Sequence, residues 1–174
     1  MALLQEVPPW WPAPLASACG ASYRSVLTSR NLGLPVRRAI ASRAPDLLGA
    51  NGGGANAILE RVEVLGHRAH RLTWWPERRW AHAVRLDEGW VVNLHASTHR
   101  ASWALRDVMR AVTWAPRPLL LFGGDLNLRS VSLPGLRHVA GNHVDHLFTA
   151  GRPGVAEVLD RGRLSDHPPV RVTL

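Results

Sequence analysis

The chain has no lysine and a single cysteine, Cys19. One cysteine excludes an intrachain disulfide, so no disulfide framework holds the fold. Its ordinary reading is a small buried thiol. Long apolar runs are also missing. The longest beside a candidate strand is Pro118 to Phe122, far short of the roughly 20 residues of a membrane-spanning helix. No basic start precedes a long apolar stretch, so no signal peptide is visible. Acidic residues are few. Thirteen of them face twenty-one arginines, which gives a net charge of +8. With only two isoleucines and many Ala, Gly, Pro and Trp, part of that excess is codon bias of a GC-rich coding sequence. The field is real whatever its origin, and it favours polyanionic partners such as nucleic acid, phosphorylated ligands or anionic headgroups. What is present is a globular composition. Hydrophobic residues make up 46% and charged residues 20% of 174. This excludes a disordered chain and predicts one domain, residues 1–174, with a core of its own.

Ala2 to Val7 reads as a strand from the first residues. Pro8, Pro9, Pro12 and Pro14 predict a rigid loop around Trp10 and Trp11. Leu15 to Leu27 reads as a short helix running into a strand. Pro35 to Arg43 reads as a helix with proline in its first turn. Gly49 to Gly54 reads as a turn without the Gly-Lys-Ser/Thr ending of a P-loop. Strands are then predicted at Asn56–Leu59, Val62–Leu65, Ala69–Thr73, Trp80–Leu86 and Trp90–Leu94. The period-two pattern of Trp80–Leu86 suits a half-buried strand. Asp87-Glu88-Gly89 is a hairpin turn. Ala101 to Thr113 is the clearest helix, with apolar Ala101, Ala104, Leu105, Val108, Met109 and Val112 on one stripe. Arg106 and Arg110 lie on its polar face, and Pro116 and Pro118 end it. Leu119 to Phe122 suits a strand covered on both faces. His143–Thr149 and Pro169–Val172 complete the strands. The mixture predicts a layered α/β sandwich.

Four polar places adjoin strand ends, where side chains are positioned most rigidly. They are Gln5-Glu6, Gly123-Gly124-Asp125-Leu126-Asn127, His143-Val144-Asp145-His146 and Ser165-Asp166-His167-Pro168. Asp125 and Asn127 point to one side of an extended segment and suit a water and a phosphoryl oxygen. An Asx turn is the plainer alternative. Asp145 with either His143 or His146 is a ligand pair, an acid–base pair or an ordinary turn. Asp166-His167 before two prolines suits a general base or a metal ligand. Four of the thirteen acidic residues, Glu6, Asp125, Asp145 and Asp166, gather at such ends. Carboxylates are the strongest oxygen ligands for hard divalent cations. A cation site within a basic rim suits a phosphodiester.

In this order, LLQEV, NAIL, VNLH, GGDLN, VDHLF and LSDHPPV resemble the motif series of the endonuclease/exonuclease/phosphatase superfamily, the pancreatic deoxyribonuclease-like fold, from Leu3 to Val170. The resemblance implies a four-layer α/β sandwich of two mixed sheets flanked by helices. It implies that Glu6 is the principal Mg²⁺ (or Mn²⁺) ligand and Asp166 a second ligand. Asn93 and His95 would bind the scissile phosphate, His95 as electrophile or acid. Asp125 would orient or deprotonate the attacking water, and Asn127 would hold the phosphate. Asp145 would fix the ring of His167, which would contact phosphate or act as base. Asn56 would lie beside the site. The implied reaction is phosphodiester hydrolysis by in-line attack of water.

Members of that family begin with an asparagine-bearing strand and a helix before the LQE strand. The expectation is therefore a fold lacking its first strand and helix. Gly141-Asn142-His143 matches one element of calcineurin-like phosphoesterases, but the early Asp-x-His is missing and Leu128 stands where their second aspartate belongs. No Cys/His pattern suits zinc. The competing non-enzyme reading is a nucleic-acid or partner-binding domain with an impaired site, its tryptophans stacking on single strands. Trp103 and Trp114 read more simply as packing. Nucleic acid is the favoured substrate, with Arg78, Arg79, Arg100, Arg106 and Arg129 as rim candidates. A monomer is expected. Cytoplasmic location is favoured for the chain as it stands, secretion requiring an upstream segment.

Overall fold

The computed structural model describes residues 1–28, 36, 38–40, 54–162 and 167–174. In chain order its elements are β1 (Ala2–Val7), α1 (Pro12–Ala18), β2 (Ser22–Leu27), β3 (Ala55–Glu60), β4 (Gly66–Thr73), β5 (Arg79–Leu86), β6 (Gly89–His95), α2 (Ala101–Trp114), β7 (Leu119–Asp125), β8 (Arg137–Asn142), β9 (Asp145–Thr149), β10 (Val155–Val158) and β11 (Val170–Thr173). The expected turn at 49–54 falls outside the described residues except for Gly54, and the expected helix at 35–43 is described only at 36 and 38–40, which are helical.

Two sheets stack between two helices. The large sheet has the order β4-β5-β6-β7-β9-β8, and the small sheet β1-β3-β2. Between them Ile58, Val84, Leu86, Val91 and Leu121 form one core. On the outer face of the small sheet, Ala16 of α1 packs on Ala57 and Leu59. On the outer face of the large sheet, Ala104, Val108 and Ala111 of α2 pack on Ala81, Ala83, Val92, Leu94 and Phe122. The result is a four-layer α/β sandwich. The large sheet is mixed, because β6 and β7 run parallel across the α2 crossover. In the small sheet β1 and β2 both run antiparallel to β3, which separates them, so that sheet is antiparallel rather than mixed. The β10–β11 pair is a third ladder, with Val172 and Leu174 against the core between the sheets.

Several local expectations are corrected. Pro12 and Pro14 lie in the first turn of α1, where a missing N–H costs nothing, rather than in a loop. Residues 62–65 form no strand, because they carry the chain from one sheet to the other and Val62 and Leu65 stay half-exposed. Strand β5 is covered on both faces, and His82 on it is fully buried. Desolvation, then neighbouring His67, lowers its pKa to about 3. The buried face of α2 is Ala104, Asp107, Val108, Ala111 and Val112, while Leu105 and Met109 remain exposed. Cys19 is exposed, not buried.

The two glycines of β7 let its neighbours close in. A Cβ on Gly123 would meet the His146 carbonyl oxygen at 2.1 Å. Gly124, at φ +130°, would place one 2.2 Å from the Leu94 oxygen.

Candidate active site

Parallel pairing of β6 and β7 sets their C-terminal ends side by side. The register opposes His95 to Asp125, Asp125 to Asp145 on β9, and Asp145 to Asn142 on β8. Four polar residues thus form one row across four adjacent strands. Strand spacing in a ladder is about 4.8 Å, so the row is a fixed array. Residues that are distant in sequence meet here because of topology alone.

His95 is buried, with 3% exposure. Arg79 Nη1 lies 3.0 Å from its Nδ1. A guanidinium only donates, so Nδ1 accepts and the ring proton is assigned to Nε2. Burial, then the charges of Arg79 and His167, lower its pKa to about 3. The imidazole is therefore neutral, with an Nε2–H available as a donor. Its Nε2 has no hydrogen-bond partner within the protein, and Asp125 Oδ2 lies 3.6 Å away. Arg79 is itself buried and bonded through Nε to Glu77 at 2.9 Å. It is a site residue, not a solvated rim charge. No spacing signal marked it, because it stands on another strand and acts through His95.

Asp125 is raised to about 6, first by burial and then by the charges of Asp145 and Glu6, against hydrogen bonding from Asn127 N–H and the charge of His167. The Asn127 N–H donates to its Oδ1 at 2.9 Å, so the Asx turn is present. Asn127 adopts φ 51°, and its amide donates to the Ala96 carbonyl at 3.0 Å. Asp145 Oδ2 sits 2.5 Å from His167 Nδ1. His146 is buried and bonds the Leu128 carbonyl and His138.

Glu6 comes from the small sheet, at a register break in β1 with φ 52°. It is exposed, and its Oε1 lies 3.6 Å from His95 Nδ1. Asn93 is placed differently from expectation. It is fully buried, and its amide donates to Leu4 O at 3.1 Å and Ala57 O at 3.0 Å and accepts from Gln5 Nε2 at 2.7 Å. These bonds leave it no donor for a phosphate, and it ties the two sheets together. Asn93→Leu is expected to strand three polar partners and cost about 2–4 kcal/mol of stability, read as a lower denaturant midpoint. Asn56 is also fully buried. Its Nδ2 lies 3.5 Å from Trp80 O, and its Oδ1 has no partner. Asp166 lies outside the described residues.

Among the described residues no three acidic, histidine or cysteine side chains converge into a closed metal cage. The donor chemistry nevertheless fits a cation held by few protein oxygens. Asp145 and Glu6 both raise Asp125, so three carboxylates act on one another in the cleft. Mg²⁺ characteristically takes one or two carboxylates and keeps several waters.

No family model and no curated protein matches the sequence. Solved structures do. An endonuclease/exonuclease/phosphatase structure from Beutenbergia cavernae superposes with a TM-score of 0.70 at 18% identity, over 97% of this chain and 60% of that one. TDP2 from Caenorhabditis elegans superposes with a TM-score of 0.63 at 16% identity, over 98% of this chain and 62% of that one. For truncated TDP2 from the same organism the TM-score is 0.60 at 16% identity, over 98% and 82%. The chain thus spans about three fifths of the length of the first two. Motif order and three-dimensional likeness agree, and the chain has the endonuclease/exonuclease/phosphatase fold.

Proposed function

We propose that this protein is a divalent-metal-dependent phosphodiesterase that hydrolyses its substrate by in-line attack of water, with nucleic acid as the favoured substrate. The carrying observation is the row of His95, Asp125 and Asp145 on adjacent strands, with His167 against Asp145 and Glu6 facing His95 from the other sheet. Asp125 takes the proton of the attacking water, its raised pKa bringing it nearer the working pH than an ordinary carboxylate. The Nε2–H of neutral His95 donates to a non-bridging phosphate oxygen. Asp145 orients His167, whose Nε2 serves the phosphate or the leaving oxygen. Asn127 holds a second phosphate oxygen. Glu6, together with Asp166, would hold Mg²⁺ or Mn²⁺, which when bound supplies positive charge to the phosphate oxygens.

The test is hydrolysis of bis(4-nitrophenyl) phosphate and of DNA by the purified chain in Mg²⁺ or Mn²⁺, with and without EDTA. Turnover that disappears in EDTA is expected. Either ion should also raise the melting temperature of the wild type but not of Glu6→Gln. Turnover indifferent to EDTA would overturn the metal role. Nucleic-acid binding with no turnover in either ion would make the chain a binding domain of this fold.

A further inference from the structure

We propose that the groove between β4 and α2, together with the hairpin tip at Trp74 and Trp75, is a track for unpaired nucleotides leading into the catalytic row. The assignment of nucleic acid as substrate rests on the reading above, and the binding surface itself does not.

The groove has a volume of about 370 Å³ and is lined by Arg71, Leu72, Thr73, Trp74, Trp75, Arg106 and Arg110. It adjoins a second hollow of about 630 Å³ along α2, which shares Arg71, Leu72, Arg106 and Arg110 and reaches Trp114. No carboxylate belongs to the described lining of either. Arg106 bonds Thr73 Oγ1 at 3.3 Å and lies 3.8 Å from Asp107 Oδ1, and Arg110 bonds the Leu72 carbonyl at 2.7 Å. A guanidinium has five N–H donors, so donors remain on each.

Guanidinium groups sit over aromatic rings in and beside the groove. The guanidinium carbons of Arg71 and Arg78 lie 4.6 and 4.3 Å from the Trp74 ring centroid. Those of Arg100 and Arg106 lie 5.4 and 5.9 Å from that of Trp103. Trp75 is 80% exposed and Trp74 57%. Two adjacent exposed indoles add nothing to the core. Stacked guanidinium groups offer flat cationic faces to bases and donors to phosphates. A duplex hides its base faces, whereas an unpaired strand presents them. A lipid surface is the poorer fit, since four guanidinium groups crowd the rings that would enter hydrocarbon.

The hairpin is tied to the reaction centre. Arg79, at its far end, bonds His95, and Glu77 bonds Arg79 and accepts from Thr98 at 3.4 Å. A strand whose phosphate lay at His95 and Asp125 would pass over Trp75 and Trp74 into the groove.

The test is fluorescence anisotropy of labelled dT12 and of a 12-base-pair duplex with the full chain. It is run in EDTA, so that binding is measured whether or not the chain is an enzyme. dT12 should bind at least tenfold tighter than the duplex. Trp75→Ala and Trp74→Ala should each weaken dT12 by roughly tenfold, in line with about 1–3 kcal/mol per stacked base. Arg71→Gln should lower the slope of log affinity against log salt by about one. Trp75 is exposed, so its replacement should melt with the wild type. In a Mg²⁺ assay, Trp75→Ala should raise KM for an oligonucleotide with little change in its kcat. Equal affinity for duplex and dT12, or affinity unmoved by both tryptophan variants, would overturn the proposal. Loss of binding to phosphatidylglycerol vesicles in Trp75→Ala, with dT12 binding intact, would assign the hairpin to a membrane surface instead.

Discussion

Asp125→Asn should lower kcat for phosphodiester hydrolysis by about 10²–10⁴-fold and at the same time make the protein more stable at pH 7.5. The activity loss follows from removing the base. The stability gain follows from the environment that makes the base useful. Asp125 titrates at about 6 in the fold against an ordinary 3.8. A carboxyl raised in the folded state contributes stability below its unfolded pKa and loses it as pH rises through the folded one. Above pH 6 the wild type therefore carries a buried charge next to Asp145 and Glu6 that the asparagine variant lacks. The gain should be roughly 1–3 kcal/mol at pH 7.5 and should vanish at pH 4, where the aspartate is neutral too. Asparagine Oδ1 can still accept the Asn127 N–H, so the turn survives. Melting curves at the two pH values check the sign. A variant less stable than wild type at pH 7.5 would show that Asp125 is a structural anchor. For the wild type, kcat/KM should rise with pH through about 6, and a profile flat from pH 5 to 8 would remove Asp125 as the base.

Asp107→Ala should cost about 3–5 kcal/mol, a fall in melting temperature of roughly 6–20 °C for a chain of this size. Asp107 is fully buried in α2. Its Oδ1 accepts from Thr73 Oγ1 at 2.5 Å. Its Oδ2 accepts from Ser97 Oγ at 2.5 Å and Ser97 N at 3.2 Å. One side chain thus gathers the end of β4, the segment after β6 and the helix. Alanine would strand a buried amide and two hydroxyls. Leu105→Ala, on the exposed side of the same helix, should change stability by less than about 0.5 kcal/mol. If Asp107→Ala melted within 2 °C of wild type, the three donors must find other partners. Because Ser97 follows His95 by two residues, surviving Asp107→Asn protein should also show a reduced kcat with little change in KM.

The α2 contrast illustrates what the sequence carried and what it did not. A 3.6-residue apolar stripe announced the helix, and Pro116 its end. The stripe's phase was misread by about one position. Alanines are apolar enough to seat against a sheet, and Leu105 and Met109 drew the expected face away from Ala111 and Asp107. The alternation of Trp80–Leu86 was legible as a strand. That both its faces are covered was not, since a small alanine face can be packed by a helix as closely as a branched one. Strand β8, with RHVAGN, has no run of β-branched residues and forms because β9 offers it a partner. Short motifs located the row of His95, Asp125 and Asp145 because strand ends repeat recognisable residues. The same motifs misplaced Asn93, since a carboxamide in VNLH looks alike whether it meets a phosphate or three backbone and side-chain partners. Arg79 was visible only as charge. What gives it a role is a cross-strand neighbour, which no linear spacing records.

Among the described acidic groups of the cleft, Glu6 stands apart in origin. It rides on the small sheet, while Asp125 and Asp145 are fixed to the large one. The two sheets meet through the Gln5–Asn93–Ala57 cluster and a thin layer of aliphatic side chains. A slight slide of one sheet over the other would carry Glu6 past its neighbours and leave the spacing of the others untouched. On the proposed roles, cation affinity and proton chemistry are thereby coupled, because the charge of Glu6 raises Asp125. Substitutions in the layer at Ile58 or Val91 should therefore shift ion preference and the pH profile together.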